Sequence, residues 1–93
     1  MNNLKELVKD SSTIIVDVRS RFEFDMGHVP GSKNIPLEEI SLHLNEFKLQ
    51  QTPVVLYCRS GNRSGMAVSI LKQGGVVNVY NGGGLGDIQS LLN

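Results

Sequence analysis

Tryptophan is absent from this chain, cysteine occurs once, and no apolar run approaches the ~18 residues that would suggest a membrane span. A lone cysteine, Cys58, excludes an internal disulfide. With only His28 and His43 beside it, no metal-ligand cluster is visible, and neither a metal nor another cofactor is expected. Charge of one sign is also lacking. Nine Lys and Arg balance nine Asp and Glu, and no basic block occurs. Nucleic acid and anionic membranes both demand a positive surface, so neither is expected as a main partner. The opening Met1 to Leu7 has no basic segment leading into an apolar core, so it does not read as a secretion signal. The expectation is a cytoplasmic protein.

What is present describes an ordinary globular chain: 40% hydrophobic and 19% charged residues, with 10 glycines and 3 prolines. Ninety-three residues suit one domain spanning residues 1–93, expected to be monomeric. Such a domain buries only a little over ~60% of the surface its unfolded chain exposes. Leu4, Leu7 and Val8 predict a short opening helix, and the β-branched run from Thr13 to Val18 predicts a central parallel strand. Ser20 with Glu23 matches a capping box at the start of a short helical turn. Asn34-Ile35-Pro36 allows only an edge pairing. Pro36 suits a first helical position, and Leu37, Ile40, Leu44 and Phe47 predict one helix ending near Lys48. A second strand runs from Val54 to Cys58. A helix from about Ser64 turns Ala67, Ile70 and Leu71 inward before Gly74-Gly75 stops it. A third strand is expected over Val76 to Tyr80, a flexible turn over Asn81 to Gly84, and a closing helix carrying Leu85, Ile88, Leu91 and Leu92. Strands alternating with helices imply an α/β fold with right-handed crossovers, whose site lies at the carboxyl ends of the strands.

Cys58 occupies such an end, where the apolar run Val54 to Tyr57 breaks into Arg59-Ser60-Gly61-Asn62-Arg63-Ser64. A strand fixes the sulfur, a glycine lets the backbone curl, and a helix start aims unpaired N–H groups at it. Two arginines add positive charge. Such surroundings lower a thiol pKa from about 8.5 to roughly 3.5–7.5, which makes the thiolate available as a nucleophile. The bland alternative is a small buried hydrophobe closing a core strand. Arg59 and Arg63 can each clamp an anionic substrate or pair with a carboxylate such as Asp17 or Glu23. Ser60 and Ser64 can donate to sulfur, and Ser64 can also cap the helix. Gly61 supplies a backbone conformation that other residues resist.

Taken in order, Asp17-Val18-Arg19, Glu23-Phe24, Gly27-His28-Val29-Pro30-Gly31-Ser32, Asn34-Ile35-Pro36 and the segment from Cys58 to Ser64 resemble the rhodanese domain, especially small single-domain thiosulfate sulfurtransferases. The resemblance covers roughly residues 4 to 85. It implies a rhodanese-like fold, with a central, mainly parallel sheet of four or five strands and helices on both faces. It further implies that Cys58 takes a sulfane sulfur from a donor such as thiosulfate, becomes a persulfide, and passes the outer sulfur to cyanide or a thiol. Arg59, Ser60, Gly61, Asn62, Arg63 and Ser64 then form the loop that holds substrate and persulfide, with backbone N–H groups from Arg59 to Arg63 cradling the terminal sulfur. Asp17 and Arg19 look structural by the same resemblance. His28 is expected to bond to the backbone, and His43 to be solvated.

Loop length separates sulfur from phosphate chemistry. Cysteine phosphatases of related fold resemble Cys-x5-Arg, whereas four residues separate Cys58 from Arg63. That smaller ring suits one sulfur atom, and no acidic residue is an obvious general acid. Two features depart from the family pattern. No room is visible before the first helix for an additional strand, and Gly82-Gly83-Gly84-Leu85 is not followed by tryptophan. The competing reading from another class is a non-turnover module that relays sulfur or binds a partner, receiving persulfide from one protein or passing it to a thiol protein.

Overall fold

In the computed structural model, which describes residues 3–93, the two most apolar runs of the sequence pair side by side. Ile14–Asp17 (β1) lies parallel to Val54–Cys58 (β3), with Val16 opposite Leu56 and Asp17 opposite Tyr57. Lys33–Asn34 (β2) adds to the far side of β1, and Val79–Gly84 (β4) to the far side of β3. The result is a four-stranded, all-parallel sheet in the order β2-β1-β3-β4. Met1 and Asn2, part of the opening segment read as lacking a secretion signal and too short for an extra strand, lie outside the described residues.

Every residue of β3 is buried because helices cover both faces of the sheet. Side chains alternate along the strand. Val54, Leu56 and Cys58 enter one cluster with Ile40, Phe47, Ala67 and Leu71, while Val55 and Tyr57 enter another with Val8 and Ile88. The first face is therefore covered by Asn62–Gln73 (α4) and by the segment from Leu37 to Leu49. The second is covered by Leu4–Lys9 (α1) and Leu85–Leu92 (α5). Each fully buried valine, leucine or isoleucine contributes about 1.5–3 kcal/mol of transfer free energy, and this two-sided burial holds the chain without a cross-link.

Local signals are met at several places. Arg21–Asp25 (α2) starts at Ser20, whose Oγ accepts the Glu23 N–H while the Glu23 carboxylate accepts the Ser20 N–H. Between Pro36 and Gln50 the single expected helix is two pieces: a 3-10 helix over Leu37–His43, then Leu44–Leu49 (α3). Pro36 caps the first piece in extended geometry instead of opening it. A 3-10 turn places residues three apart on one side, so Leu37 and Ile40 still reach the core together.

Three further expectations are corrected. Helix α4 begins at Asn62, two residues before Ser64, because Gly61 with φ of 99° turns the chain early. Its buried face is Ser64, Ala67 and Leu71, and Ile70 is outside. The last strand starts at Val79 and continues through the glycines read as a turn. Val76 lies outside the strand: its N–H bonds to the Leu71 carbonyl at the end of α4 and its side chain is buried in the core, while Val77 is exposed.

Candidate active site

The carboxyl end of β3 delivers Cys58 beneath the start of α4, and the loop between them wraps the sulfur. Cys58 Sγ accepts the Gly61 N–H at 3.0 Å and the Ser64 N–H at 3.4 Å, with Ser64 Oγ also at 3.4 Å. Burial alone pushes the thiol pKa up. The hydrogen bonds from the Ser64 side chain and from the N–H groups of Ser64, Ser60 and Gly61 outweigh it and hold Cys58 below the ordinary thiol value. The N–H groups on Sγ itself thus include that of Ser64, one residue beyond the Arg59 to Arg63 stretch expected to hold a persulfide's terminal sulfur. Only 1% of Cys58 is exposed.

The loop residues divide sharply by environment. Arg59 and Ser60 are exposed, and the Arg59 guanidinium makes no ion pair or hydrogen bond among the described residues. Gly61 occupies the left-handed conformation at the helix cap, and Asn62 is exposed in the first turn of α4. Arg63 turns back to α2, donating from Nη1 and Nη2 to the two Glu23 oxygens at 2.8 and 3.0 Å. This bidentate pair, with lesser help from Ser20, holds the Glu23 carboxyl down at about 2. Of the two roles open to Arg63, loop support is the one its geometry displays. Ser64 is fully buried.

Residues upstream buttress this loop. Asp17 is fully buried and accepts from the Arg19 backbone N–H, Nε and Nη2, the last at 2.7 Å. Arg19 Nη2 also donates to the Gly27 carbonyl. The motif from Gly27 to Ser32 is a strut: the Val29 N–H donates to Tyr57 Oη at 3.0 Å, and Ser32 Oγ lies 3.1 Å from the same oxygen. Tyr57 precedes Cys58, so the strut steadies the strand end that carries the sulfur. His28 bonds through Nδ1 to the Phe24 carbonyl and stacks on the Phe24 ring, away from the sulfur's hydrogen-bond set. His43 lies 2.9 Å from Glu46 on the surface. A cavity of about 420 Å³ sits at the opposite end of β1, beside Lys9, Thr13 and Lys33, and Cys58 takes no part in it.

The sequence placed Asn34 in a matched segment without giving it a role, and it gave Asn81 no role beyond a turn. Asn34 Nδ2 donates to the Asp17 and Arg19 carbonyls, tying β2 to the end of β1. Asn81 touches the loop itself: Oδ1 accepts from Ser64 Oγ at 2.7 Å, and Nδ2 donates to the Gly61 carbonyl at 3.1 Å. An asparagine before three glycines reads as turn chemistry, so no local signal separates it from a loop residue.

Among the described residues no helix is long and apolar enough to cross a membrane, and no three His, Cys, Asp or Glu side chains gather as a metal set. Known proteins are similar to this chain in sequence and in fold. The sequence is 38% identical over 74 residues to the thiosulfate sulfurtransferase PspE of Escherichia coli, an alignment covering 78% of this chain and 71% of that one. It is 40% identical over 67 residues to the Bacillus subtilis protein YqhL, with 72% of this chain matched, and 38% identical over 72 residues to the putative sulfur carrier protein YrkF of the same organism, with 77% matched. The matched segment spans 52% of YqhL and 38% of YrkF. A solved rhodanese with anions from E. coli superposes with a TM-score of 0.74 at 36% identity, over 81% of this chain and 89% of that one. The family model of the rhodanese-like domain matches residues 1–87, and the chain, with its four parallel strands and cysteine loop, belongs to that family.

Proposed function

We propose that this protein is a sulfurtransferase that moves the outer sulfur of thiosulfate through a persulfide on Cys58 to a thiophilic acceptor. One observation carries the reading: a thiol at a strand end accepts hydrogen bonds from Gly61 and Ser64 N–H groups, which favour an anionic sulfur. The Cys58 thiolate attacks the outer sulfur of thiosulfate, the sulfur–sulfur bond of the donor breaks, and its electron pair leaves with sulfite. The product is an anionic persulfide, and the loop N–H groups stabilise it without a general acid. Cyanide or a thiolate then attacks the outer sulfur, and Cys58 leaves as the thiolate from which it began. Arg59, exposed and without a partner among the described residues, is the group available to meet the dianionic donor.

The test is intact mass followed by product. Wild type incubated with thiosulfate is expected to gain the mass of one sulfur atom, and to lose it on adding cyanide as thiocyanate appears. Cys58→Ser is expected to do neither. Thiocyanate formation surviving that substitution sinks the mechanism. A relay is the second reading, favoured by the similarity to YrkF, named as a putative sulfur carrier protein. A persulfide that forms but passes to a protein thiol far faster than to cyanide supports the relay over the free-standing enzyme.

A further inference from the structure

The Ser64 hydroxyl has one proton and two acceptors within reach. Its oxygen lies 2.7 Å from Asn81 Oδ1 and 3.4 Å from Cys58 Sγ. The Asn81 amide is fixed at both ends: Nδ2 donates to the Gly61 carbonyl at 3.1 Å and Oδ1 accepts the Gly83 N–H at 2.9 Å. Oδ1 is therefore an acceptor only, and the shorter contact holds the Ser64 proton on Asn81 while Cys58 is a neutral thiol. The thiol S–H is then free to point at Ser64 Oγ. Once sulfur is ionised, a charged acceptor outcompetes a neutral amide oxygen, and rotation about the serine C–O bond suffices to deliver the proton. Asn81 Oδ1 keeps the Gly83 N–H throughout, so neither state leaves a polar atom unpaired.

We propose that Asn81 is a positioning residue that holds the Ser64 hydroxyl off Cys58 until the sulfur carries charge. Its value to sulfur transfer rests on the function proposed above. In the persulfide the charge sits on the outer sulfur, Sγ is a neutral bridging atom, and the hydroxyl returns to Asn81. As an acceptor attacks the outer sulfur, the persulfide bond breaks and its electron pair collects on Sγ. The hydroxyl then turns to meet it, a contact that strengthens toward the transition state and lowers its energy relative to the persulfide. Other charged groups form a background to the switch. Arg63 on α4 is held by Glu23 of α2, and Arg59 projects from the loop. The Asp17–Arg19 pair closes β1, and Asp87 of α5 accepts the Gly84 N–H beside Cys58 in register.

The experiment titrates Cys58 through the pH dependence of its alkylation by iodoacetamide, in wild type, Ser64→Ala, Asn81→Ala and the double variant. No sulfur donor is present. Ser64→Ala is expected to lower the thiolate fraction on the acid side of the titration by about tenfold, and Ser64→Thr, which keeps the hydroxyl, to restore it. Asn81→Ala is expected to shift the midpoint the opposite way, by releasing the proton from its competitor, and to have no effect in the Ser64→Ala background. If Asn81→Ala does not fold, Asn81→Asp carries the same test with reversed sign: the midpoint rises, and rises less in the Ser64→Ala background. An Asn81 effect of equal size in both backgrounds overturns the proposal, as does the absence of any shift. Coupling without thiocyanate formation supports the switch and removes the sulfurtransferase reading; thiocyanate without coupling does the reverse.

Discussion

Arg59 and Arg63 bracket the Cys58 loop, and their surroundings give them different tasks. Arg63 is clamped by Glu23, whereas Arg59 is exposed with no partner among the described residues. Under the proposed function, a guanidinium meeting a small dianion from solvent contributes to binding and steering, both of which salt screens. Arg59→Ala is expected to raise the KM for thiosulfate about tenfold at low ionic strength, an effect that shrinks as salt is added. Its urea midpoint should stay close to wild type, since exposed positions without partners change stability by only about 0.5 kcal/mol. Steady-state kinetics at several salt concentrations decide this, and a salt-independent loss of kcat with unchanged KM goes against it. At this scale the place of Cys58 was legible in the sequence, because the apolar run stops at it and a glycine-containing polar loop follows. Asn81 was not. Its partners Ser64 and Gly61 lie 17 and 20 residues away, and only the parallel pairing of β4 with β3 brings them together.

Element boundaries failed where glycine was taken at face value. The segment Asn81 to Gly84 reads as a flexible turn, yet it completes β4, with a register shift opposite Leu56 and Tyr57. Glycine is weak in isolated strands, but here close approach demands it. A Cβ on Gly84 would overlap the Arg59 carbonyl oxygen, and one on Gly82 would meet Ile88 at 2.5 Å. Gly84 therefore lets β4 pass directly beneath the first residue of the loop. Gly84→Ala is expected to push the Arg59 carbonyl away, cost about 1–3 kcal/mol, and slow persulfide formation. Gly86→Ala is the control two residues on: its Cβ meets nothing within 4 Å, and α5 gains up to about 1 kcal/mol from the better helix former. Denaturant midpoints and sulfur uptake by mass test the pair, and equal behaviour of the two variants rules the packing argument out.

At the scale of the molecule, the alternation of strands and helices was enough to imply the α/β sheet, since β-branched runs covered on both faces have few other solutions. Less visible was how the chain ties its first half to the Cys58 loop, because that depends on pairs distant in sequence. The Glu23–Arg63 bridge joins α2 to the first turn of α4 across 40 residues. Its charge-assisted bonds lower the Glu23 carboxyl from an ordinary 4.5 to about 2. A carboxylate whose pKa falls on folding contributes stability that is fully present above the unfolded value and is lost as pH drops through the folded one. Wild type should therefore lose this contribution progressively between pH 4.5 and about 2. Glu23→Gln keeps an oxygen for the Ser20 N–H but cannot titrate, and it leaves Arg63 with a neutral partner. The variant is expected to be less stable than wild type at pH 7, with the gap closing as the solution is acidified through that window. Urea midpoints measured across the range check it. Curves that stay parallel down to pH 2 mean that the bridge does not couple protonation to folding.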